Sequence, residues 1–121
     1  MGFHSTSKSF KYAFTGLSTA IKNEPNFRIH LIIALSAMIL GVIVGLELLE
    51  WLILSFTIFY VLTLELLNTS LEAVVDLVSP EVSPYAKIAK DVSAACVLMA
   101  AILSIIVGAV LFLPKILPLI N

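Results

Sequence analysis

Residues Val92 to Leu113 form a run of 22 without a charged side chain, and about 20 predominantly apolar residues suffice to cross a bilayer as a helix. Two further apolar runs precede it. Ile29 to Leu46 contains His30 as its only ionisable residue, and a second run starts at Trp51 and reaches about Leu71. Composition agrees: 60% of residues are hydrophobic and 12% charged, with a mean hydropathy of +1.11. A soluble domain carries roughly 45–50% apolar and about 25% charged residues. The expected fold is therefore an all-α integral membrane domain over 1–121, with three transmembrane helices behind an N-terminal interfacial amphipathic helix. The interfacial helix is expected at 5–24 and the spans at 28–47, 50–76 and 84–118, the last with a polar start.

Only Glu47 to Glu50 separates the first two spans, which predicts an antiparallel helical hairpin. Lys8, Lys11, Lys22 and Arg28 precede the first span, and Lys87 and Lys90 lie between the second and third. The positive-inside rule then predicts a cytoplasmic N-terminus and an outer C-terminus, with Lys115 dissenting. In the N-terminal lead, Phe10, Ala13, Phe14, Leu17, Ala20 and Ile21 recur at helical spacing opposite Lys8, Lys11 and Lys22. That pattern suits a helix lying in the membrane interface, ended or turned by Pro25. Such a helix can be a plain anchor. Ser83 and Pro84 read as the N-cap and first residue of the third helix. No removable signal peptide is read, and Cys96, the single cysteine, has no internal disulfide partner. A net charge of −1 without a dense basic patch gives no reason to expect a nucleic-acid partner.

The second span closes on Glu65, Asn68, Glu72 and Asp76. At about 100° per residue these positions fall within roughly 80° of one another, on one stripe of a helix. The uncharged run before Glu65, Trp51 to Leu64, has 14 residues, too few to span alone. Glu65 and Asn68 are therefore expected inside the membrane, where an ionisable group costs at least ~2.5 kcal/mol on insertion scales and marks a functional site by default.

Glu24, Asn26, Arg28, Glu65, Asn68, Glu72, Asp76, Lys90 and Asp91 gather the polar groups expected at the cytoplasmic side. Carboxylates near a lysine are what metal-assisted phosphoryl transfer uses: hard oxygens for Mg²⁺, a lysine for phosphate charge, and a carboxylate to take a hydroxyl proton. The same residues could instead pair to hold a bundle together. No P-loop or protein-kinase glycine loop is present. His4 and His30 stand apart from any metal-ligand cluster in the sequence. Two classes remain: a membrane enzyme phosphorylating a lipid hydroxyl, and a small proton-coupled transporter using Glu65 as a relay. Polar residues gathered at one end favour the enzyme, since a transporter needs its carboxylate near the midplane with access from both faces.

The string from Glu65 to Asp76, followed by Ala89-Lys90-Asp91 and the small residues Ser93 to Cys96, resembles the prokaryotic diacylglycerol kinase family. So do Ala13 to Leu17 and Asn23 to His30. The resemblance covers nearly the whole chain. It implies a homotrimeric bundle in the bacterial cytoplasmic (inner) membrane that transfers the γ-phosphate of ATP, with Mg²⁺, to a lipid alcohol. It further implies Glu65 as general base and Glu24 and Glu72 as metal ligands. Tyr12, Glu24, Asn68, Glu72, Glu81, Val82, Ser83, Lys90 and Asp91 would then line the nucleotide site. Asn26, Phe27, Arg28, Ile29, His30, Glu65 and Ala94 would border the lipid. Enterobacterial members have an arginine near Ser5, a serine in place of Ala94 and a glutamate in place of His30. The Asn26 to His30 run and Phe112 to Lys115 look closer to the undecaprenol kinase branch, implying undecaprenol as substrate. The alternative is diacylglycerol, giving phosphatidic acid.

Overall fold

The computed structural model describes residues 5–121, so His4 lies outside the described residues. Among these, all regular structure is helical: α1 (Thr6–Asn23), α2 (Pro25–Val44), α3 (Leu48–Val78) and α4 (Pro84–Ile120). The last three are long and apolar enough to cross a membrane, with 20, 31 and 37 residues. At 1.5 Å per residue α4 is about 55 Å long, well beyond a hydrocarbon core of about 30 Å. The chain is thus a three-span, multi-pass membrane protein preceded by an amphipathic helix.

Each helix boundary has a local cause. Glu24 is extended, ending α1, and Pro25 then serves as the first residue of α2, where its missing N–H costs nothing. The helix accordingly starts earlier than the expected residue 28. It ends at Val44, short of the expected 47, because Gly45 takes a left-handed conformation with φ of 73°. The Gly45 and Leu46 N–H groups both donate to the Gly41 carbonyl, at 3.1 and 3.0 Å. Of the two acidic residues expected in the loop, Glu47 lies in the connection and Glu50 falls within α3. They make a capping box, each side chain accepting from the other's backbone N–H, so α3 begins at Leu48 and satisfies its own first donors. Ser83 caps α4, its Oγ accepting from the Ala86 N–H at 3.1 Å. That helix continues past 118 to Ile120, through Pro114 and Pro118.

Packing is most extensive between α3 and α4. At the end of the bundle nearest the α2–α3 turn, Leu46, Leu54, Leu111 and Phe112 form the core, flanked by Leu40, Trp51 and Ile116. An ion pair of 3.1 Å between Glu50 and Lys115 closes this end. Lys115, which reads as a dissenting charge in the sequence, is therefore matched by a carboxylate. At the opposite end Ala20 and Phe27 are buried and tie α1 to α2. The Arg28 guanidinium reinforces that joint, with Nη1 donating to the Ile21 and Lys22 carbonyls at 2.9 Å each. These are carbonyls that a helix C-terminus leaves without intrahelical partners. Between the ends, small or slender residues (Ala34, Thr57, Val61 and Ala100) fill the interior, allowing the helices to approach closely.

Candidate active site

Along the acidic stripe of α3, burial decreases toward the C-terminus. Glu65 is 4% exposed, Asn68 and Glu72 are intermediate, and the Asp76 side chain is 65% exposed. Glu65 is thus the most enclosed charge of the described residues, and its ionisable neighbours from elsewhere in the chain come from two places. His30 of α2 puts Nε2 3.9 Å from Glu65 Oε1. Glu24, at the α1–α2 joint, and Glu72, two turns along α3, also act on it electrostatically.

Asn68 lies one turn from Glu65. Its Nδ2 donates to Glu72 Oε1 at 3.2 Å, which leaves its Oδ1 buried without a hydrogen-bond partner. A buried acceptor left unsatisfied costs about 1–3 kcal/mol. Glu72 and Asn68, which touch each other, and Glu24, whose charge also reaches Glu65, offer hard oxygens of the kind a divalent cation prefers. Three His, Cys, Asp or Glu side chains do not converge on one point among the described residues. The residues therefore fit an ion that takes only one or two carboxylates from the protein and the rest of its oxygens from phosphate and water.

The remaining candidates divide. Lys90 is ion-paired with Asp76 of α3, and Asp91 with Lys87 on its own helix. These four line a cavity of about 300 Å³ together with Ser79, Glu81 and Val82, at the turn from α3 to α4. The turn is held by the Ser79 hydroxyl donating to the Glu81 carbonyl at 2.8 Å. Phe27 is buried, whereas Asn26, Ile29 and Ala94 are exposed, so within one chain they do not converge on Glu65. Arg28 is engaged in the joint described above. Tyr12 is exposed on α1.

On the other side of Glu65 runs an apolar groove of about 380 Å³ between α2, α3 and α4. Val61 and Leu62, one turn before Glu65, lie in its wall, and the groove extends to Phe112. The Thr57 and Ser104 hydroxyls within it donate to carbonyls of their own helices. A polar cluster with one unmet buried oxygen thus adjoins a groove of hydrocarbon character.

Known proteins resemble this chain over most of its length. The family model for prokaryotic diacylglycerol kinase matches residues 11–112. Undecaprenol kinase of Bacillus subtilis is 41% identical over 108 residues, covering 89% of this chain and 88% of the relative. Diacylglycerol kinase of Synechocystis sp. is 45% identical over 112 residues, covering 92% of this chain but only 64% of that longer relative. Diacylglycerol kinase of Escherichia coli is 31% identical over 110 residues, covering 91% and 90%. The chain belongs to the prokaryotic diacylglycerol kinase family.

Proposed function

We propose that this membrane lipid kinase transfers the γ-phosphate of MgATP to undecaprenol. One observation carries the reading: the buried carboxylate Glu65 lies one helical turn beyond Val61 in the wall of an apolar groove and one turn before Asn68, whose Oδ1 is buried without a partner. A lipid alcohol lying in the groove presents its hydroxyl to Glu65, and water is scarce there. The carboxylate takes the hydroxyl proton as the lipid oxygen attacks the γ-phosphorus, and ADP leaves. Glu24 and Glu72 would hold Mg²⁺, which would supply neutralisation of the phosphate charge. Asn68 directs its free Oδ1 into the same site. Lys90, Asp91, Tyr12 and the turn from Glu81 to Ser83 face the nucleotide, with the ion pairs to Asp76 and Lys87 opening to admit phosphate. Asn26 to His30 and Ala94 border the lipid headgroup.

Undecaprenol is favoured by the relative of that name, which matches across most of both chains. The similarity to proteins named diacylglycerol kinase makes diacylglycerol the second reading. The polar groups at one end of the bundle favour an enzyme over a proton-coupled transporter. The chain is a single membrane domain of the bacterial cytoplasmic membrane, with α1 in the inner interface and the N-terminus in the cytoplasm, a reading supported by the lysines before the first span. Its working unit is a homotrimer. Tyr60, Leu67 and Leu98 are exposed in the single chain, and a neighbouring helix against α3 and α4 would cover the site and bring in Ala94.

The test is transfer from γ-labelled ATP to purified undecaprenol, diacylglycerol and a C16 alcohol in mixed micelles. The expected result is a higher kcat/KM for undecaprenol than for diacylglycerol. The reverse ranking would move the substrate to diacylglycerol, and no transfer to any lipid alcohol would refute the kinase reading.

A further inference from the structure

Among the residues lining the apolar groove, His30 alone carries an ionisable side chain. It is isolated in the sequence, yet the α2–α3 hairpin sets its Nε2 3.9 Å from Glu65 Oε1, with the imidazole 20% exposed and the carboxylate 6%. One member of the pair is thus enclosed and the other opens onto the groove. A general base that collects a proton in each turnover must lose it before the next. Glu65 is poorly placed to do so by itself, being walled off from water by the helices around it.

The surrounding charges leave that task to His30. Glu24 and Glu72 are the other charged groups that act on Glu65. Both are carboxylates required by the proposed reading to hold a cation. From α4, Lys90 and Asp91 are engaged with Asp76 and Lys87, and Cys96 is exposed. From α2, Arg28 is bound to α1 carbonyls. Imidazole is the side chain whose proton exchange is easiest near neutral pH.

We propose that His30 is the proton acceptor behind Glu65, resetting the base after each transfer. The inference rests on the reading of Glu65 as general base. As the lipid O–H bond breaks and the oxygen–phosphorus bond forms, the proton goes to Glu65 Oε1 and the bond to ADP breaks. The proton then passes from the Glu65 carboxyl to the neutral Nε2 of His30, giving an ion pair of carboxylate and imidazolium. Release from His30 to water admitted at the polar end of the groove, once the phosphorylated lipid has left, restores both groups. His30 acts through Glu65 and is a positioning residue, not a group that attacks or binds phosphate.

Chemical rescue tests this in the full-length protein in lipid-containing micelles. His30→Ala is expected to lower kcat for lipid phosphorylation about tenfold or more, toward the ~10²-fold lower bound typical of general acid–base groups. The KM for ATP should stay within about twofold. Added imidazole fills the vacated space and restores most of the rate, whereas pyrazole, of the same shape but a far weaker base, does not. His30→Gln retains a polar side chain of similar reach without the basic nitrogen and is expected to be as slow as His30→Ala. Equal rescue by pyrazole, or a His30→Gln rate within about twofold of the parent, would show that the side chain only fills space or orients Glu65. Glu65→Gln should be inactive with or without imidazole. Activity in that variant would bring down the general-base reading itself, a failure distinct from loss of the His30 role.

Discussion

The turn between the first two spans depends on the absence of a side chain at Gly41. A Cβ built there would lie 2.9 Å from Leu46 Cδ1 and 2.9 Å from the Trp51 ring, closer than real Cβ contacts allow. Both neighbours belong to the core at this end or pack against it, and Leu46 also donates its N–H to the Gly41 carbonyl. For Gly41→Ala, helix propensity gains roughly 0.5–1 kcal/mol, while forcing an extra group into packed surroundings costs about 1–3 kcal/mol. The Leu46 tip can swing aside but the indole ring cannot do so without leaving its place, so the net is a loss of about 0.5–1 kcal/mol, within those ranges. Gly41→Val adds two methyl groups at the same contact and has a smaller propensity gain, giving a net loss of about 2 kcal/mol. Unfolding in mixed micelles by titrated denaturing detergent, followed by Trp51 fluorescence, measures both. Gly41 lies 11 residues beyond His30 on α2, about 16 Å along the helix, so kcat of the folded fraction should be unchanged. A Gly41→Val variant as stable as the parent would refute the close packing of this turn.

Replacing Glu24 or Glu72 by Gln is expected to raise the Mg²⁺ concentration for half-maximal activity about tenfold or more, since even outer-shell losses at metal sites cost 10–100-fold; an unchanged titration in both would assign the carboxylates to structure. Arg28→Met keeps the apolar stem but removes the two bonds to α1. Loosening the joint by about 1 kcal/mol should speed tryptic cleavage after Lys22 roughly fivefold, and an unchanged rate would mean that Ala20 and Phe27 hold the joint alone. If sites form between subunits, co-assembling Glu65→Gln with Glu24→Gln chains restores part of the activity. Complete absence of rescue in verified mixed oligomers would mean that one chain supplies both residues.

Much of this architecture is legible in the sequence because bilayer thickness is a coarse and forgiving ruler. Three runs of sufficient length and an acidic stripe at helical spacing need no tertiary information. Glu65 stands out for the same reason, as a charge with too little apolar sequence before it. The capping box of Glu47 and Glu50 was readable too, since a carboxylate three residues into an apolar helix is an N-terminal signal; a polar loop masks it only if charge is counted without spacing. The pairing of His30 with Glu65 is harder to see. They lie 16 and 19 residues to either side of Leu46, so a tight hairpin places them at similar height, but their facing each other depends on helix rotation. Lys90 with Asp76 and Arg28 with the α1 carbonyls likewise depend on how one helix end meets the next. Contacts of that kind leave no periodic trace in the chain.

In the proposed reaction, a buried carboxylate one helical turn from an apolar groove takes the proton from a lipid alcohol during phosphate transfer. Glu65→Gln keeps the size and polarity of the side chain and removes its basicity, so the most direct measurement is its kcat for labelled phosphate transfer to undecaprenol beside its affinity for ATP. Loss of at least about 10²-fold in kcat, in the range of general base catalysis, with ATP binding retained, is the predicted result. Turnover within about threefold of the parent, far below that contribution, would contradict it.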